Sequence, residues 1–277
     1  GDVVSPGTVI ITAAGNCNAI SKVVEPVFKH NAGPIYYINI SQDTYKLGGS
    51  AFGQVLNKIG TDTPNVQSAT YVKTVFNTLQ ELIHNNKIVA GHDVASGGLI
   101  TTLLELCFSD TNLGADLDLS ALNEADSIKL LFSENSGIVF QAVDASVAAE
   151  LSKASIDFHE LGSVTNQPVL NIKNAADSYS LNVSELRDVW YETSVLLDQK
   201  QTANGLANTR FETYKNQPLD FKFPPQFTGK LPIINQANKP KAAIIREKGS
   251  NSEREMANAM YLAGFDVKDV HMTDLIS

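Results

Sequence analysis

The sequence lacks most features that mark secreted, membrane or metal-binding proteins. Its 277 residues include only two cysteines, Cys17 and Cys107, which lie far apart, so no disulfide framework is expected and a reducing compartment is favoured. No apolar run reaches the roughly 18 residues that a membrane-spanning helix needs. The amino terminus shows no basic segment before an apolar stretch, so no secretory signal is expected. We therefore expect a cytoplasmic protein with no membrane partner.

Familiar site fingerprints and positive charge are also scarce. The five histidines form no His-x-x-x-His pair and no Cys-x-x-Cys group occurs, which argues against a closed zinc site. Neither Gly-x-Gly-x-x-Gly nor a Walker lysine loop is found, so the two commonest nucleotide fingerprints are missing. The formal charge is −9, from 21 Lys and Arg against 30 Asp and Glu. Such a surface repels phosphate backbones, so no nucleic-acid partner is expected.

The pattern of apolar residues and prolines divides the chain into three parts. Residues 1–174 alternate short β-branched segments with helical stripes, which predicts an α/β to α+β domain with a mixed sheet and packed helices. Residues 175–240 combine one helical stripe with a stretch rich in Pro, Asn and Gln, expected to be a helix and an extended linker. Residues 241–277 show a β-α-β pattern too small to bury both faces of its own sheet.

The same periodicities place the individual elements. Strands are predicted at residues 9–12, 35–40, 88–90, 130–132, 137–143, 158–164, 169–172, 241–246 and 267–271. Helices are predicted at residues 72–85, 99–108, 145–153, 184–199 and 251–263, with Ser184 as a candidate cap for the fourth. The strands at 158–164 and 169–172 are expected to form a hairpin, which gives the sheet an antiparallel component.

The most informative candidate site is residues 91–98, Gly-His-Asp-Val-Ala-Ser-Gly-Gly, between a predicted strand and a predicted helix. Asp93 is expected just past the strand's carboxyl end, where α/β folds usually place ligands. Gly97 and Gly98 allow a phosphate to approach the backbone, and the helix start offers N–H groups to an anion. A carboxylate beside phosphates suits Mg²⁺. The spacing alone favours a competing interpretation, a structural turn with Ser96 near the cap.

Two further segments place polar groups beside predicted elements. Residues 46–53 form a second glycine loop that opens a helix, with Gly48 and Gly49 before Ser50, which can cap the helix and also donate to a phosphate. A plain turn with an N-cap is the favoured alternative. Residues 131–137 place a carboxylate and two hydroxyls beside a strand, and this pattern fits either a metal or polar-substrate site or a solvated turn.

Several of these segments, taken in chain order, carry motifs of one family. They are residues 47–50 (Leu-Gly-Gly-Ser), 91–99 with 104–108, 132–134 (Phe-Ser-Glu) and 186–193 (Leu-Arg-Asp-Val-Trp-Tyr-Glu-Thr). The chain resembles the second half of the large formylglycinamide ribonucleotide amidotransferases, the phosphoribosylformylglycinamidine synthases. Residues 245–275 resemble the opening of that family's own glutaminase domain, and this juxtaposition distinguishes it from other synthetases of the same fold.

The resemblance implies an activity and a place in a longer polypeptide. It implies an ATP- and Mg²⁺-dependent ligase of purine biosynthesis that converts formylglycinamide ribonucleotide to its amidine with ammonia from glutamine. Residues 1–174 are then similar to the C-terminal domain of aminoimidazole ribonucleotide synthetase, and residues 241–277 to a truncated glutaminase domain. Upstream synthetase domains and a downstream glutaminase domain are the implied partners. This chain alone is expected to be inactive, with no catalytic residue and neither cysteine as the nucleophile.

Residue by residue, the resemblance makes Asp93 a Mg²⁺ ligand at an ATP or ADP site. The family's nucleotide-contacting serine aligns with Ala95, so a hydroxyl contact is lost while the backbone N–H remains, and Ser96 is a candidate substitute. This nucleotide is structural in the large enzymes, by the same resemblance, so Asp93 need not touch the chemistry. Nucleotide contacts are predicted at Gly48, Gly49, Ser50, Ala95, Ser96, Gly97 and Gly98.

Two alternatives stay open at this point. One is a non-catalytic scaffold that positions a glutaminase domain and carries no ligand, which calorimetry with Mg²⁺–ADP distinguishes by the absence of heat. The other, weaker one is a stand-alone kinase of the same superfamily, which requires an amino-terminal nucleotide domain.

Overall fold

A computed structural model of the chain describes residues 10–17, 19–109, 112–216, 222–226 and 238–276. The chain divides into two units, Gly1–Asn216 and Gln217–Ser277. The predicted three-part division at residues 174 and 240 stays a prediction. Within the described residues, no helix has both the length and the apolar character needed to cross a membrane.

A seven-stranded sheet is the centre of the first unit. Its strands are β1 (Ile35–Asn39), β2 (Ile88–Val94), β3 (Gly114–Asp118), β4 (Gly137–Ala142), β5 (His159–Thr165), β6 (Val169–Asn174) and β7 (Asp177–Asn182). They lie in the order β2-β4-β1-β5-β3-β6-β7. All neighbours are antiparallel except β3 and β6, which are parallel. The predicted mixed sheet is thus confirmed, with β2 and β7 as its edges.

The described residues of this unit also form seven α-helices. They are α1 (Ala51–Val55), α2 (Ala69–His84), α3 (Gly98–Phe108), α4 (Ser127–Phe132), α5 (Val147–Lys153), α6 (Val183–Asp198) and α7 (Leu206–Thr213). Local sequence explains their limits: the Ser68 side chain accepts the Tyr71 N–H and caps α2. Asn182 caps α6, and not Ser184 as predicted, because its amide oxygen reaches the N–H groups of the first turn.

Helices cover both faces of the sheet, and the central strand β1 shows why. Alternate side chains of β1 enter two separate cores. Ile35 and Tyr37 pack with the apolar side chains of α3 and α4, whereas Tyr36 and Ile38 pack with those of α2 and α5. All four are at most 1% exposed, as expected for an apolar run buried on two sides.

One predicted strand and one predicted strand pairing in this unit are wrong. Residues 130–132 belong to helix α4, which Asp126 caps by accepting the N–H groups of Ile128 and Lys129. The buried residues Ser127, Leu130 and Leu131 follow helical spacing. The predicted hairpin of β5 and β6 is also wrong, because β3 lies between them, antiparallel to β5 and parallel to β6. The hairpin partner of β6 is β7, an exposed edge strand without a clear apolar alternation.

Two further expectations concern less regular segments. The predicted strand at 9–12 is wrong for residues 10–12, which have no regular structure, and residue 9 lies outside the described residues. The extended linker predicted within residues 175–240, after the helix at 184–199, instead contains α7 and a 3₁₀ turn at Tyr214–Asn216. Residues 222–226 have no helix or strand, and the rest of the linker after residue 216 lies outside the described residues except at 238–240.

The second unit has the predicted β-α-β arrangement. Its elements are β8 (Lys241–Arg246), α8 (Glu253–Leu262), β9 (Asp266–His271) and α9 (Met272–Ile276). Strands β8 and β9 are parallel neighbours joined by α8. Arg246 Nε lies 2.9 Å from both carboxylate oxygens of Asp269 in the facing strand. With only two strands, both sheet faces stay partly exposed, as at Ile245.

Helix α6 is attached to α3 by a buried arginine. Arg187 is 3% exposed; its Nη1 donates to the Phe108 carbonyl at 2.8 Å and its Nε to the Tyr214 hydroxyl at 3.2 Å. Phe108 ends α3, where carbonyls lack intrahelical partners and the helix dipole favours a cation. Arg187 therefore satisfies the end of one helix from the side of another.

Replacing this arginine is expected to destabilise the first unit. Arg187→Met keeps most of the apolar stem but leaves the Phe108 carbonyl without its donor, so we expect a loss of about 2 kcal/mol or more. Urea unfolding followed by far-ultraviolet circular dichroism measures it. Arg210→Met, which removes an exposed guanidinium from α7, is the matched control. Equal losses in the two variants would contradict the role assigned to Arg187.

Candidate functional site

Residues 91–98 extend from the edge strand β2 into the start of α3. The prediction that Asp93 lies just past the end of the strand is wrong. Asp93 lies within β2, opposite Ile138 of β4. β2 continues to Val94, because an edge strand can point polar side chains to solvent while Val94 is buried. The Asp93 carboxyl is 77% exposed. Its backbone carbonyl accepts the Thr102 hydroxyl of α3 at 3.0 Å, which fixes the strand end against the helix.

The turn between strand and helix has an exposed half and a packed half. Ala95 and Ser96 are exposed, and within the described part of the chain neither backbone N–H has a hydrogen-bond partner. Gly97 and Gly98 have φ values of 91° and 75°. A Cβ at Gly98 would lie 2.7 Å from the Leu131 carbonyl oxygen. Glycine is therefore required at position 98 for packing, whereas 95–96 is open to a ligand.

One carboxylate joins the two glycine loops. Glu134 Oε1 accepts the Gly97 N–H at 2.9 Å and the Ala51 N–H at 2.7 Å. These donors belong to the turn before α3 and to the first residue of α1, where N–H groups lack intrahelical partners. A negative charge is favourable there. The N–H groups that the sequence suggested for a phosphate are thus partly used by Glu134.

The loop at 46–53 is held mainly by its own backbone. The Gly48 N–H donates to the Asp62 carbonyl at 2.9 Å and the Gly49 N–H to the Ile59 carbonyl at 2.7 Å. Ser50 is 1% exposed; its Oγ accepts the Gly53 N–H and donates to the Leu47 carbonyl. This geometry is that of a turn with an N-cap, and nucleotide contacts at positions 48–50 stay a prediction.

Residues 131–137 form a structural connection as well. Asn135 is buried, and its amide Nδ2 donates to Ser41 Oγ and to the carbonyls of Asp43 and Thr44. The Phe132 ring packs against the Phe52 ring, with centroids 4.8 Å apart and ring planes tilted by 32°. The segment therefore ties α4 to the loop before α1. The sequence predicted a polar site at the Glu134 carboxylate. It did not predict that Glu134 connects Ala51 and Gly97, because these residues are close only in the folded chain.

A line of polar contacts continues from Asp93 across the surface of α3. The His92 ring has its Nδ1 3.3 Å from Asp93 Oδ1 and its Nε2 2.9 Å from Glu105 Oε2. The other oxygen of Glu105 accepts the indole N–H of Trp190 on α6 at 3.1 Å. Even so, the described residues contain no group of three or more His, Cys, Asp or Glu that could hold a metal ion.

Neither cysteine lies at this site. Cys107 lies on the buried face of α3, and burial raises the pKa of its thiol to about 12, which disfavours the reactive thiolate at neutral pH. Cys17 is exposed, and both are free thiols.

Each of the two units contains a segment that matches a known protein family. Residues 40–173 match the AIR synthase related protein, C-terminal domain, and residues 239–277 match the CobB/CobQ-like glutamine amidotransferase domain. The probable phosphoribosylformylglycinamidine synthase, chloroplastic/mitochondrial, of Arabidopsis thaliana is 35% identical over 287 residues, covering 100% of this chain and 20% of that protein. The phosphoribosylformylglycinamidine synthase of Homo sapiens is 33% identical, covering 99% of this chain and 21% of that protein.

The chain is homologous to one segment of the phosphoribosylformylglycinamidine synthases. The resemblance expected from the sequence motifs is thus confirmed, including the order of the two domains. The chain spans about a fifth of the length of these curated synthases. Among solved structures, T. maritima PurL complexed with FGAR is 17% identical, with a TM-score of 0.49, and the match covers 61% of this chain and 30% of that one.

The packing at Gly98 leads to a test with an internal control. Gly98→Ala forces an L-residue into the left-handed region, which costs about 1–2 kcal/mol, and it also drives a Cβ against backbone. Gly205→Ala has a similar φ of 85° but nothing within 4 Å of the added Cβ. In urea unfolding, Gly98→Ala is expected to lose at least about 1 kcal/mol more than Gly205→Ala. Equal losses would refute close packing at position 98.

The Glu134 bridge is tested by removing its carboxylate. Glu134→Ala leaves the Ala51 and Gly97 N–H groups without their acceptor, with an expected loss of about 1–3 kcal/mol. Those two amides should also exchange hydrogen with solvent faster, as measured by NMR. Glu81→Ala on the exposed face of α2 is the control. Unchanged exchange at Ala51 and Gly97 would show that the bridge does not form in solution.

Proposed function

We propose that this chain forms part of a phosphoribosylformylglycinamidine synthase, comprising the carboxyl-terminal half of its second synthetase repeat and the opening of its glutaminase domain. The single observation that carries the proposal is the order of two domain matches within one chain, at residues 40–173 and 239–277. Similarity to the curated synthases over the whole chain supports it. The alternative function, a scaffold that positions a glutaminase domain and binds no ligand, is compatible with this similarity but does not explain it.

The proposed reaction is the ATP- and glutamine-dependent conversion of formylglycinamide ribonucleotide to its amidine in de novo purine biosynthesis. ATP phosphorylates the carbonyl oxygen of the glycinamide group, and ammonia released from glutamine then displaces phosphate to give the amidine, with the formyl group unchanged. This chain contributes binding and positioning, and the rest of the polypeptide supplies both reactive centres. The chain alone is therefore inactive. We also propose that the chain is cytoplasmic, whereas the name of the Arabidopsis relative places that protein in the chloroplast or mitochondrion.

The nucleotide is proposed to bind as a Mg²⁺ complex at residues 93–98. Mg²⁺ accepts one or two carboxylates and completes its shell with phosphate oxygens and water. Asp93, exposed and at the strand edge, fits as one such ligand. The exposed N–H groups of Ala95 and Ser96 suit phosphate oxygens. Glu134 is not assigned to the metal, because its Oε1 already accepts two backbone N–H groups.

Removing the Asp93 carboxylate tests this site. Mutating a residue that only hydrogen-bonds to a metal ligand lowers metal affinity about 10- to 100-fold. Asp93 is proposed as a direct ligand, so Asp93→Asn is expected to weaken Mg²⁺–ADP binding at least about tenfold. Isothermal titration calorimetry measures it on the intact chain.

The matched control is Asp116→Asn, which neutralises an exposed aspartate on β3. Equal affinities for the wild-type chain and Asp93→Asn would remove Asp93 from the site. An absence of heat with the wild-type chain would instead favour the scaffold function.

A further inference from the structure

Asp93 is connected to helix α6 by a continuous series of side-chain contacts. Asp93, His92, Glu105 and Trp190 follow one another with separations of 3.3, 2.9 and 3.1 Å. The first two residues are on β2, the third on α3 and the fourth on α6. No other polar side chain is needed to join the proposed ligand-binding end of β2 to the helix that leads toward the second unit in sequence.

The middle of this series is sheltered and its first member is not. The side chains of His92 and Glu105 are 21% and 27% exposed, against 77% for Asp93. Partial burial lowers the local dielectric and reduces screening, so a change of charge at Asp93 is felt more strongly by His92 and Glu105 than it would be in water. A ligand reaches the exposed carboxylate without disturbing the sheltered pair directly.

Trp190, the last member of the series, packs against two aromatic rings. Its ring lies 5.8 Å from that of Phe108 and 4.9 Å from that of Tyr191, measured between centroids. Arg187, one turn earlier on α6, is bonded to the Phe108 carbonyl. Helix α6 is therefore held on α3 at two points, the Arg187–Phe108 and Glu105–Trp190 hydrogen bonds. Only the second involves a residue, Glu105, that is linked to Asp93 through His92.

We propose that His92 and Glu105 are positioning residues that couple Asp93 to Trp190, so that binding of a Mg²⁺–nucleotide at Asp93 alters the attachment of α6 to α3. The coupling rests on the proposed nucleotide site. A Mg²⁺ ion held by Asp93 would compete with the His92 ring for the negative charge of that carboxylate. A ring less attracted to Asp93 would interact more strongly with Glu105, and this would change the hydrogen bond that Glu105 accepts from Trp190. Because coupling between two sites is reciprocal, changing Trp190 also changes affinity at Asp93.

The chain provides its own reporter for this coupling. Trp190 is the single tryptophan among 277 residues, and indole emission responds to a hydrogen bond and a charge at the ring nitrogen. Titration of the intact chain with Mg²⁺–ADP, followed by tryptophan fluorescence and in parallel by calorimetry, is expected to give an emission change with the same half-saturation as the heat. Glu105→Leu keeps helix propensity but breaks both contacts, and it is expected to lose most of this emission change.

Two controls separate coupling from general effects. Glu192→Leu removes an exposed carboxylate from α6 that takes no part in the series, and it is expected to retain the full emission change. Trp190→Phe keeps an aromatic ring but loses the N–H donor. By reciprocity it should alter Mg²⁺–ADP affinity about fivefold in calorimetry, although Trp190 does not contact the ligand site. This second variant decides the matter if Glu105→Leu fails to fold.

The outcomes distinguish this inference from the function on which it rests. Heat without an emission change, or unaltered affinity in Trp190→Phe, overturns the coupling and leaves the nucleotide site in place. A full emission change in Glu105→Leu overturns the route through Glu105. An absence of heat with the wild-type chain overturns the nucleotide site, and the coupling with it.

Discussion

The Glu134 carboxylate is the constraint on which the candidate site depends. It accepts one N–H from the turn before α3 and one from the start of α1, two loops that are far apart in sequence. With these donors satisfied, Gly97 holds its left-handed conformation and the exposed pair Ala95–Ser96 is left facing solvent. Glu134 thus occupies the N–H groups of Ala51 and Gly97 and leaves those of Ala95 and Ser96 available to a ligand.

Helix α3 integrates the remaining parts. Its start follows the turn of the candidate site, its buried face fills the core beside α4, and its last carbonyl accepts a hydrogen bond from Arg187 of α6. Thr102 fixes the Asp93 backbone, while Glu105 stands between His92 and Trp190. One helix therefore contacts the Asp93 segment, fills part of the hydrophobic core and holds α6. A substitution in α3 is expected to affect binding and stability together.

Local sequence predicts the elements whose burial leaves a periodic signal. The apolar run of β1 and the stripe of α2, with Val75, Leu79 and Leu82 buried, are found where predicted. Prediction fails where pairing or polar contacts decide: β3 inserts between β5 and β6, and β7 is too exposed to show alternation. The two glycine loops and Asp93 were recognisable from motif spacing. Their union through Glu134, and the contact between Glu105 and Trp190, depend on residues 37 to 85 positions apart that no local pattern brings together.

The most direct test of the account is an amide NMR titration of the intact chain with Mg²⁺–ADP. We expect chemical-shift changes concentrated at residues 93–98, with the Ala51 and Gly97 amides still protected from exchange by Glu134. Shift changes confined to other parts of the chain, with residues 93–98 unaffected at saturation, would contradict it.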